Sequence, residues 1–421
     1  MKSRSVLFFG VYSFISRQVD QIGAGGFLIL LGKAYTLLTL LISFLLIPLI
    51  LTVRIVRPLI LIRFGRLRSY RIGHFSANTE YYLCNKELSV HKRTFDLFYC
   101  IPPVCNIQLK KMYGRIINIS RFNALLYRCN RMLPGYKDHE VPLGEWRDVN
   151  NLLERTKPHI SFTNEEERRG RDALCGIGLS DSADFILFHA RDSEYLDSFL
   201  TKRPRNHWRY HDYRDSNINN YLAAAEALAE RGYYAFRMGA IVKGALDTAN
   251  PKIVDYAIKY RTDFLDIYLL NKCKFFLGAF SGITNSAYDL FRKPIACVNT
   301  THIEHMWTWH PNVLHIPKKH WLRDEHRFMT FHEIFESGVG RYMYARQYEE
   351  DGIELIENTP EEIESLAIEM DERLKGTWHT TYEDEELQKR FWDVFPKSEL
   401  HGEIKSRIGS EFLRENRDML Y

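Results

Sequence analysis

From residue 183 to residue 299 the sequence alternates short apolar runs with segments of helical spacing, and each run ends in a charged or glycine-bearing turn. ADFILFHARD reads as a buried strand that runs into charged residues. DSNINNYLAAAEALAERG follows, with Ile218, Tyr221, Leu222, Ala225, Leu228 and Ala229 at helical intervals, Asp215 or Ser216 as cap and Gly232 as stop. YYAFRMG is a second strand, and NPKIVDYAIKY reads as a helix with proline in its first turn. KFFLGAFSGITNSAYDLFRKPIACVN then reads as strand, turn, helix and strand. Such alternation makes a parallel sheet covered by helices on both faces. Ligands of these sheets lie beyond the carboxyl ends of the strands. HARD, RMG and GAFSG all fall there.

A fainter alternation lies upstream. SYRIGHF reads as a short strand, SANTEYYLCNKEL as a helix, FDLFYCI as a strand and NIQLKKMYGRII as a helix. The polar stretch TNEEERRGRD is the expected linker. A chain of 421 residues is too long for one ordinary core. The expected division is a first α/β domain over residues 66–170 and a second over residues 171–421 with a helical tail. The tail opens on the capping box Thr359-Pro360-Glu361-Glu362, and Ile363, Leu366, Ala367, Met370 and Leu374 line one face before Gly376.

Residues 1–65 have another character. Ala34 to Val53 is a run of twenty residues without a charge, long enough to span a bilayer. Arg54, Arg57, Arg63, Arg66, Arg68 and Arg71 follow it, against Lys2, Arg4, Arg17 and Lys33 before it. That asymmetry places the large carboxy-terminal part on the cytoplasmic face. Pro48 breaks or kinks the run, so the segment either crosses or dips in and returns. The basic stripe suits anionic headgroups. The seven cysteines form no Cys-x-x-Cys pair and read as buried free thiols of a reducing compartment. A net charge of +4 gives no whole-protein basic field, which argues against nucleic acid as a partner.

The candidate chemistry follows from the strand ends. Ser281-Gly282 stands where a helix begins, so free backbone N–H groups and the helix dipole suit an anion there, and glycine allows close approach. Ser281 equally serves as a plain N-cap. Arg191, in His189-Ala190-Arg191-Asp192-Ser193-Glu194, has the planar fork to grip a diphosphate, or else pairs with Asp192 or Glu194. Arg237 and Gly239 end the next strand, and Arg214 stands before the helix that precedes it. In the first half, His74 and Glu80 are candidate bases for an acceptor hydroxyl. The histidines of THIEHMWTWHPNVLHIPKKH are not spaced as zinc ligands on one helix, and read better as a surface that stacks on a base or sugar. No Asp-x-Asp pair follows a strand, so no divalent metal is expected in the chemistry. Gly-x-Ser-x-Gly, the Walker motif and the Gly-x-Gly-x-x-Gly fingerprint are all absent from the sequence.

Together, RIGHF with Glu80, VPLGEWRDVNNLL, FHARDSEYL, YRDSNINNYLAAAEALAERGYYAFRMG, FFLGAFSGITNSAYDLFRKPIACVN and SRIGSEFL resemble glycosyltransferases of the GT-B type. More narrowly, they resemble a bacterial family of surface-carbohydrate synthesis. They cover most of the chain after residue 65. His189, Arg191 and Glu194 are also similar to the His-x-Arg-Arg-x-Asp motif of fucosyltransferases, with Asp192 and Glu194 replacing its second arginine and final aspartate. The resemblance implies two Rossmann-like domains and metal-independent transfer, by a hexosyltransferase or a fucosyltransferase-like enzyme. It needs no cofactor beyond the nucleotide-sugar substrate. The acceptor would be a glycan or a lipid-linked intermediate at the cytoplasmic membrane face. His74 or Glu80 would act as base, and Arg191, Ser281, Gly282 and Arg237 would hold the donor phosphates. His189, Glu194, Arg214, Gly239 and Asn285 would complete the donor site. The residues also leave open a membrane-tethered module that binds a nucleotide or glycan without turnover, or an assembly scaffold.

Overall fold

Along the chain the elements run α1 (Ile47–Ile55), β1 (Leu61–Leu67), α2 (Ile72–Leu88), β2 (Thr94–Cys100), α3 (Ile107–Tyr113), β3 (Asn118–Ile119), α4 (Asn123–Arg131) and α5 (Asn164–Ile177). Then come β4 (Phe185–His189), α6 (Leu222–Glu230), β5 (Tyr234–Arg237), β6 (Ile253–Val254), α7 (Asp263–Lys272), β7 (Phe276–Ala279), α8 (Gly282–Phe291), β8 (Ile295–Thr300) and β9 (Val313–Pro317). β10 (Lys319–Leu322), β11 (Arg327–Phe328), β12 (Ile353–Ile356), α9 (Pro360–Lys375), α10 (Tyr382–Val394) and β13 (Arg407–Ile408) follow, with shorter helices between. This is a computed structural model that describes residues 27, 30–31, 33–34, 37–38, 41–42, 44–89, 93–144, 147–199 and 205–421.

The main sheet has seven strands in the order β13-β9-β8-β7-β4-β5-β6, and every neighbouring pair is parallel. β4 through Phe188, all of β7 and all of β8 are buried, as a sheet covered on both faces requires. Alternate side chains of β8 enter different cores. Ala296 and Val298 join Leu228, Leu366 and Met370, whereas Ile295 and Cys297 join Ala77, Tyr81 and Tyr288. The α9 capping box and the left-handed Gly376 stop stand where the sequence puts them. β10, β11 and β12 form a small antiparallel sheet.

The chain does not divide at residue 170. One unit holds residues up to 66 with residues 91–100 and 117–142, and the other holds residues 67–90, 101–116 and 143–421. The small unit carries the three-stranded sheet β1-β2-β3. Its core sets Ile50 and Val53 of α1 against Phe64, Leu126 and Cys129. Helices α2 and α3, expected in the first domain, belong to the large unit. α2 lies against α8, and the Asn106 side chain before α3 bonds to Asp263 O at 2.9 Å.

Four local expectations are corrected. SYRIGHF is not a strand: β1 lies upstream in LIRFGRL and α2 opens at Ile72. Its glycine serves a helix contact instead of ending a strand. TNEEERRGRD is not a linker but the start of α5, opened by a Thr163–Glu166 capping box. Its charges are partly employed, with Glu166 accepting from Gln108 at 2.9 Å and Lys111 at 3.0 Å. Within NPKIVDYAIKY, β-branched Ile253 and Val254 pair with β5, and only Tyr256–Lys259 is helical. The cap expected from Asp215 or Ser216 is supplied by Asn217.

Within the uncharged run, residues 35, 36, 39, 40 and 43 lie outside the described residues, as do Lys2, Arg4 and Arg17. Among the described residues no helix is long and apolar enough to cross a membrane. Part of the arginine collar has protein partners. Arg54 bonds Asn130 Oδ1 at 3.1 Å, Arg57 bonds Asp138 at 2.8 Å, and Arg63 grips Asp96 through two nitrogens at 2.7 and 3.0 Å.

Candidate functional site

Strand order locates the site. From β4 the chain builds outward through β5 and β6, then returns to the other side of β4 as β7 and continues to β8 and β9. The order therefore reverses between β4 and β7, where His189 lies beside Gly278. Crevices of open parallel sheets form at this reversal, beyond the carboxyl ends of the strands. A cavity of about 430 Å³ opens there. Its walls come from the ends of β4 (His189, Arg191), β5 (Met238, Gly239), β7 (Ser281, Gly282) and β8 (His302, His305, Trp307), and from the start of α2 (Arg71 to His74). Every lining residue belongs to the large unit.

The expected donor residues divide on this geometry. His189, Arg191, Arg214, Gly239, Ser281, Gly282 and Asn285 line the cavity. Arg237 does not. It is buried with Asp255 at 3.4 Å and bonds the Gly244 carbonyl, so its charge is used inside the protein. Glu194 is also off the cavity wall: its N–H donates to Asp192 Oδ1 at 3.0 Å, and its carboxylate accepts from Ser198 at 2.6 Å. Arg191 faces the cavity but is ion-paired with Asp215 and donates to the His211 carbonyl at 3.2 Å. His189 uses Nδ1 to donate to the Met238 carbonyl at 3.0 Å, which fixes its tautomer.

Arg214 differs from its neighbours. Its Nη2 donates to the Phe280 carbonyl at 2.8 Å, its buried Nε has no partner, and no carboxylate pairs with it among the described residues. Arg71 is in the same state: it lies over the Trp208 ring at 5.2 Å, its Nε is unpartnered, and no carboxylate pairs with it among the described residues. An uncompensated charge in a partly dry site is costly, and an anionic ligand offsets it. Arg71 is the residue that sequence reasoning missed. It was visible in RIGH, but the strand reading drew attention only to His74.

The two candidate bases part company. His74 lies in the first turn of α2 on the cavity wall. Burial, then Arg71 and Arg68, push its pKa down to about 4, so its ring is neutral near pH 7, with an unprotonated nitrogen but lowered basicity. Glu80 is six residues further along, a rotation of about 240° beyond a full turn, which aims it elsewhere. It is wholly buried between Arg292 at 3.0 Å and His159 at 2.9 Å. The general-base expectation for Glu80 is therefore corrected to a structural one.

The histidine-rich stretch also divides. His302 and His305 line the cavity, with Trp307 stacked on Phe280 at 4.4 Å. His310, His315 and His320 are core residues. Burial, then Arg214, holds His302 well below its ordinary pKa, and burial, then Arg147, takes His305 down to about 4. Among the described residues, the single group spaced for metal ligation is Glu80, Cys84 and His159, with ligand atoms within 4.8 Å of one another. It lies off the cavity, and the Arg292 guanidinium already supplies a cation there.

Two solved structures resemble this fold at low score. The structure of E. coli ADP-heptose lps heptosyltransferase II aligns at 11% identity over 60% of this chain and 90% of its own, with a TM-score of 0.36. The glycosyl transferase family 9 structure from Veillonella parvula DSM 2008 aligns at 12% identity over 74% of this chain and 96% of its own, with a TM-score of 0.39. Likeness at this level carries no argument about activity. No family model matches the chain, and no curated protein matches it.

Proposed function

We propose that the protein is a metal-independent glycosyltransferase of the GT-B type that moves a sugar from a nucleotide-sugar to a glycan or lipid-linked acceptor in surface polysaccharide synthesis. The observation that carries this reading is the cavity at the strand-order reversal. On its wall stand a neutral histidine and two arginines that have no carboxylate partner among the described residues. In the reaction, the His74 ring takes the proton of the acceptor hydroxyl, the acceptor oxygen bonds to the sugar carbon, and the bond from that carbon to the diphosphate oxygen breaks. Arg214, Arg71 and the α8 amides at Ser281-Gly282 stabilise the charge that gathers on the leaving diphosphate. Electrostatic support of this kind is usually the largest catalytic contribution.

Membrane attachment through residues 1–65, with the catalytic part facing the cytoplasm, belongs to the same proposal. The charge asymmetry around the uncharged run supports it. So do apolar side chains left in solvent, with Leu45 79%, Ile55 76% and Leu59 76% exposed.

The test is sugar transfer by the full chain in detergent, with nucleotide-sugars, a lipid-linked acceptor and a chelator present. Product is expected with the chelator, and His74→Ala is expected to slow transfer by roughly 100-fold or more. One observation favours the second reading, a nucleotide-binding module without turnover: with Glu80 buried, one base remains of two. Nucleotide binding without transfer or hydrolysis for any donor would establish that reading instead.

A further inference from the structure

We propose that Glu80, Cys84 and His159 form a zinc site on the flank of α2, where the ion clips residues 156–160 to the helix. The site stands apart from the transferase reading. None of its three ligands lines the cavity, and no step of sugar transfer passes through the ion.

Helix spacing supplies two of the ligands. Glu80 and Cys84 stand four residues apart in α2, so both side chains leave the same face of the helix. His159, 79 residues beyond Glu80, reaches that face from a loop. One ligand atom from each residue lies within 4.8 Å of the others. Ligand atoms around a tetrahedral zinc are about 3.3–3.6 Å apart, so small side-chain rotations close the set on an ion. Glu80 and Cys84 are buried, and the His159 side chain is 14% exposed, which gives the ion a way in from solvent.

The groups around the ligands have the roles that a metal site requires. His159 turns Nδ1 toward Glu80 Oε1 at 2.9 Å and Nε2 toward Glu87 Oε2 at 2.9 Å. A ligating imidazole donates its other N–H to a carboxylate, which orients the ring and raises its basicity. Glu87, one turn beyond Cys84 on α2, is that carboxylate. The Thr156 hydroxyl stands 3.0 Å from Cys84 Sγ, placed to donate to a thiolate. Thiolate, imidazole and one carboxylate together select zinc over magnesium or calcium, which take oxygen ligands.

Arg292 is the competing cation, and it meets only part of the demand. The Leu153 carbonyl at 2.8 Å and the Asp289 carbonyl anchor its guanidinium. Its Nη2 lies 3.0 Å from Glu80 Oε1 and 4.0 Å from Cys84 Sγ. His159 uses the same oxygen, Oε1, while Glu80 Oε2 is buried without a partner. A buried carboxylate oxygen in that state calls for a donor or a cation. Without metal, carboxylates at both ring nitrogens keep both protons on His159. Zinc replaces the Nδ1 proton and the Cys84 thiol proton. Two protons leave as two positive charges enter, so the net charge of the cluster is unchanged.

The experiment takes the untagged full chain in detergent, strips it with a chelator, removes the chelator by dialysis, and titrates the protein with zinc and with cobalt(II). Wild type is expected to take up about one zinc per chain. With cobalt it is expected to show the near-ultraviolet absorption of a thiolate–metal bond, and zinc is expected to raise its thermal unfolding midpoint. Cys84→Ser is expected to lose the cobalt band. Glu87→Gln, at a 52% exposed side chain, is expected to weaken zinc by about tenfold or more. Cys175→Ser, at an exposed cysteine, is expected to bind as wild type. Folded wild type that takes up no zinc would overturn the proposal without any variant, and would leave the cluster as an ion-pair network closed by Arg292. A cobalt band kept by Cys84→Ser and lost by Cys175→Ser would overturn it by placing the metal elsewhere. So would wild-type zinc affinity in Glu87→Gln, the surface variant that reads the site even where Cys84→Ser does not fold.

Discussion

Arg191, Arg214 and Arg237 all stand near strand ends, and what separates them is the nearest carboxylate. Asp215 lies 24 residues from Arg191, and Asp255 lies 18 residues from Arg237. Sequence spacing does not say that either pair meets, so the sequence showed a rim of arginines without showing which charges stay uncompensated. The same limit explains Glu80, whose partner Arg292 is 212 residues away. Glu80→Gln is expected to destabilise the protein by roughly 3–5 kcal/mol, because Arg292 is left buried with a neutral neighbour. Urea unfolding reads that loss, while initial rates per folded molecule are expected to stay near wild type. A folded Glu80→Gln protein without activity would return Glu80 to the chemistry. For His74 the expectation is an acid limb. With a free-protein pKa of about 4, transfer measured as kcat/KM is expected to stay flat from pH 8 to 6 and to fall as pH approaches 4. An acid limb near pH 7 would point to a different base.

At the scale of elements, β4, β5, β7, β8 and α8 were legible because each is a short apolar run closed by a turn or by a helical period. Their parallel order follows from alternation alone. α2 was the costly error. RIGHF has the look of a strand closing on glycine, yet Gly73 is spent where α2 and α8 touch, a contact between residues over two hundred positions apart. No local pattern announces such a contact. Gly73→Ala is expected to push the helices apart, costing about 1–3 kcal/mol as overpacked interiors do. It is also expected to weaken nucleotide binding by shifting the α8 amides at Ser281-Gly282. Paired measurements decide this. A lowered unfolding midpoint with unchanged nucleotide affinity would mean that the helix ends do not cooperate on the ligand.

Over the whole molecule, the large unit gathers its site from both halves of the sequence: Arg71 to His74 from one, and the ends of β4, β5, β7 and β8 from the other. A boundary drawn from composition at residue 170 could not foresee this, because the polar stretch there caps and begins α5, with most but not all of its side chains in solvent. The core that results holds many imidazoles. Burial drives His315 and His320 each down to about 4, and holds His302 and His310 well below their ordinary value. An unfolded histidine titrates near 6.5. Above that pH both states are neutral and no penalty exists. Between about 6.5 and 4 the unfolded chain takes up protons that the folded chain refuses, so stability falls as pH falls. For His315 and His320 the full penalty is on the order of 3 kcal/mol each. Asp148 and Asp266, whose carboxyls burial raises to about 6, act in the opposite sense: they bind protons in the folded state first and gain stability as pH drops through that value. The buried histidines outnumber them. The thermal unfolding midpoint is therefore expected to be highest near pH 7 and to fall steadily toward pH 4.5. His320→Gln is expected to lower the midpoint at pH 7 and to reduce its further loss at pH 5. A midpoint that stays level or rises between pH 7 and 5 would mean that these imidazoles gain protons in the folded protein, and that the core admits charge its packing argues against.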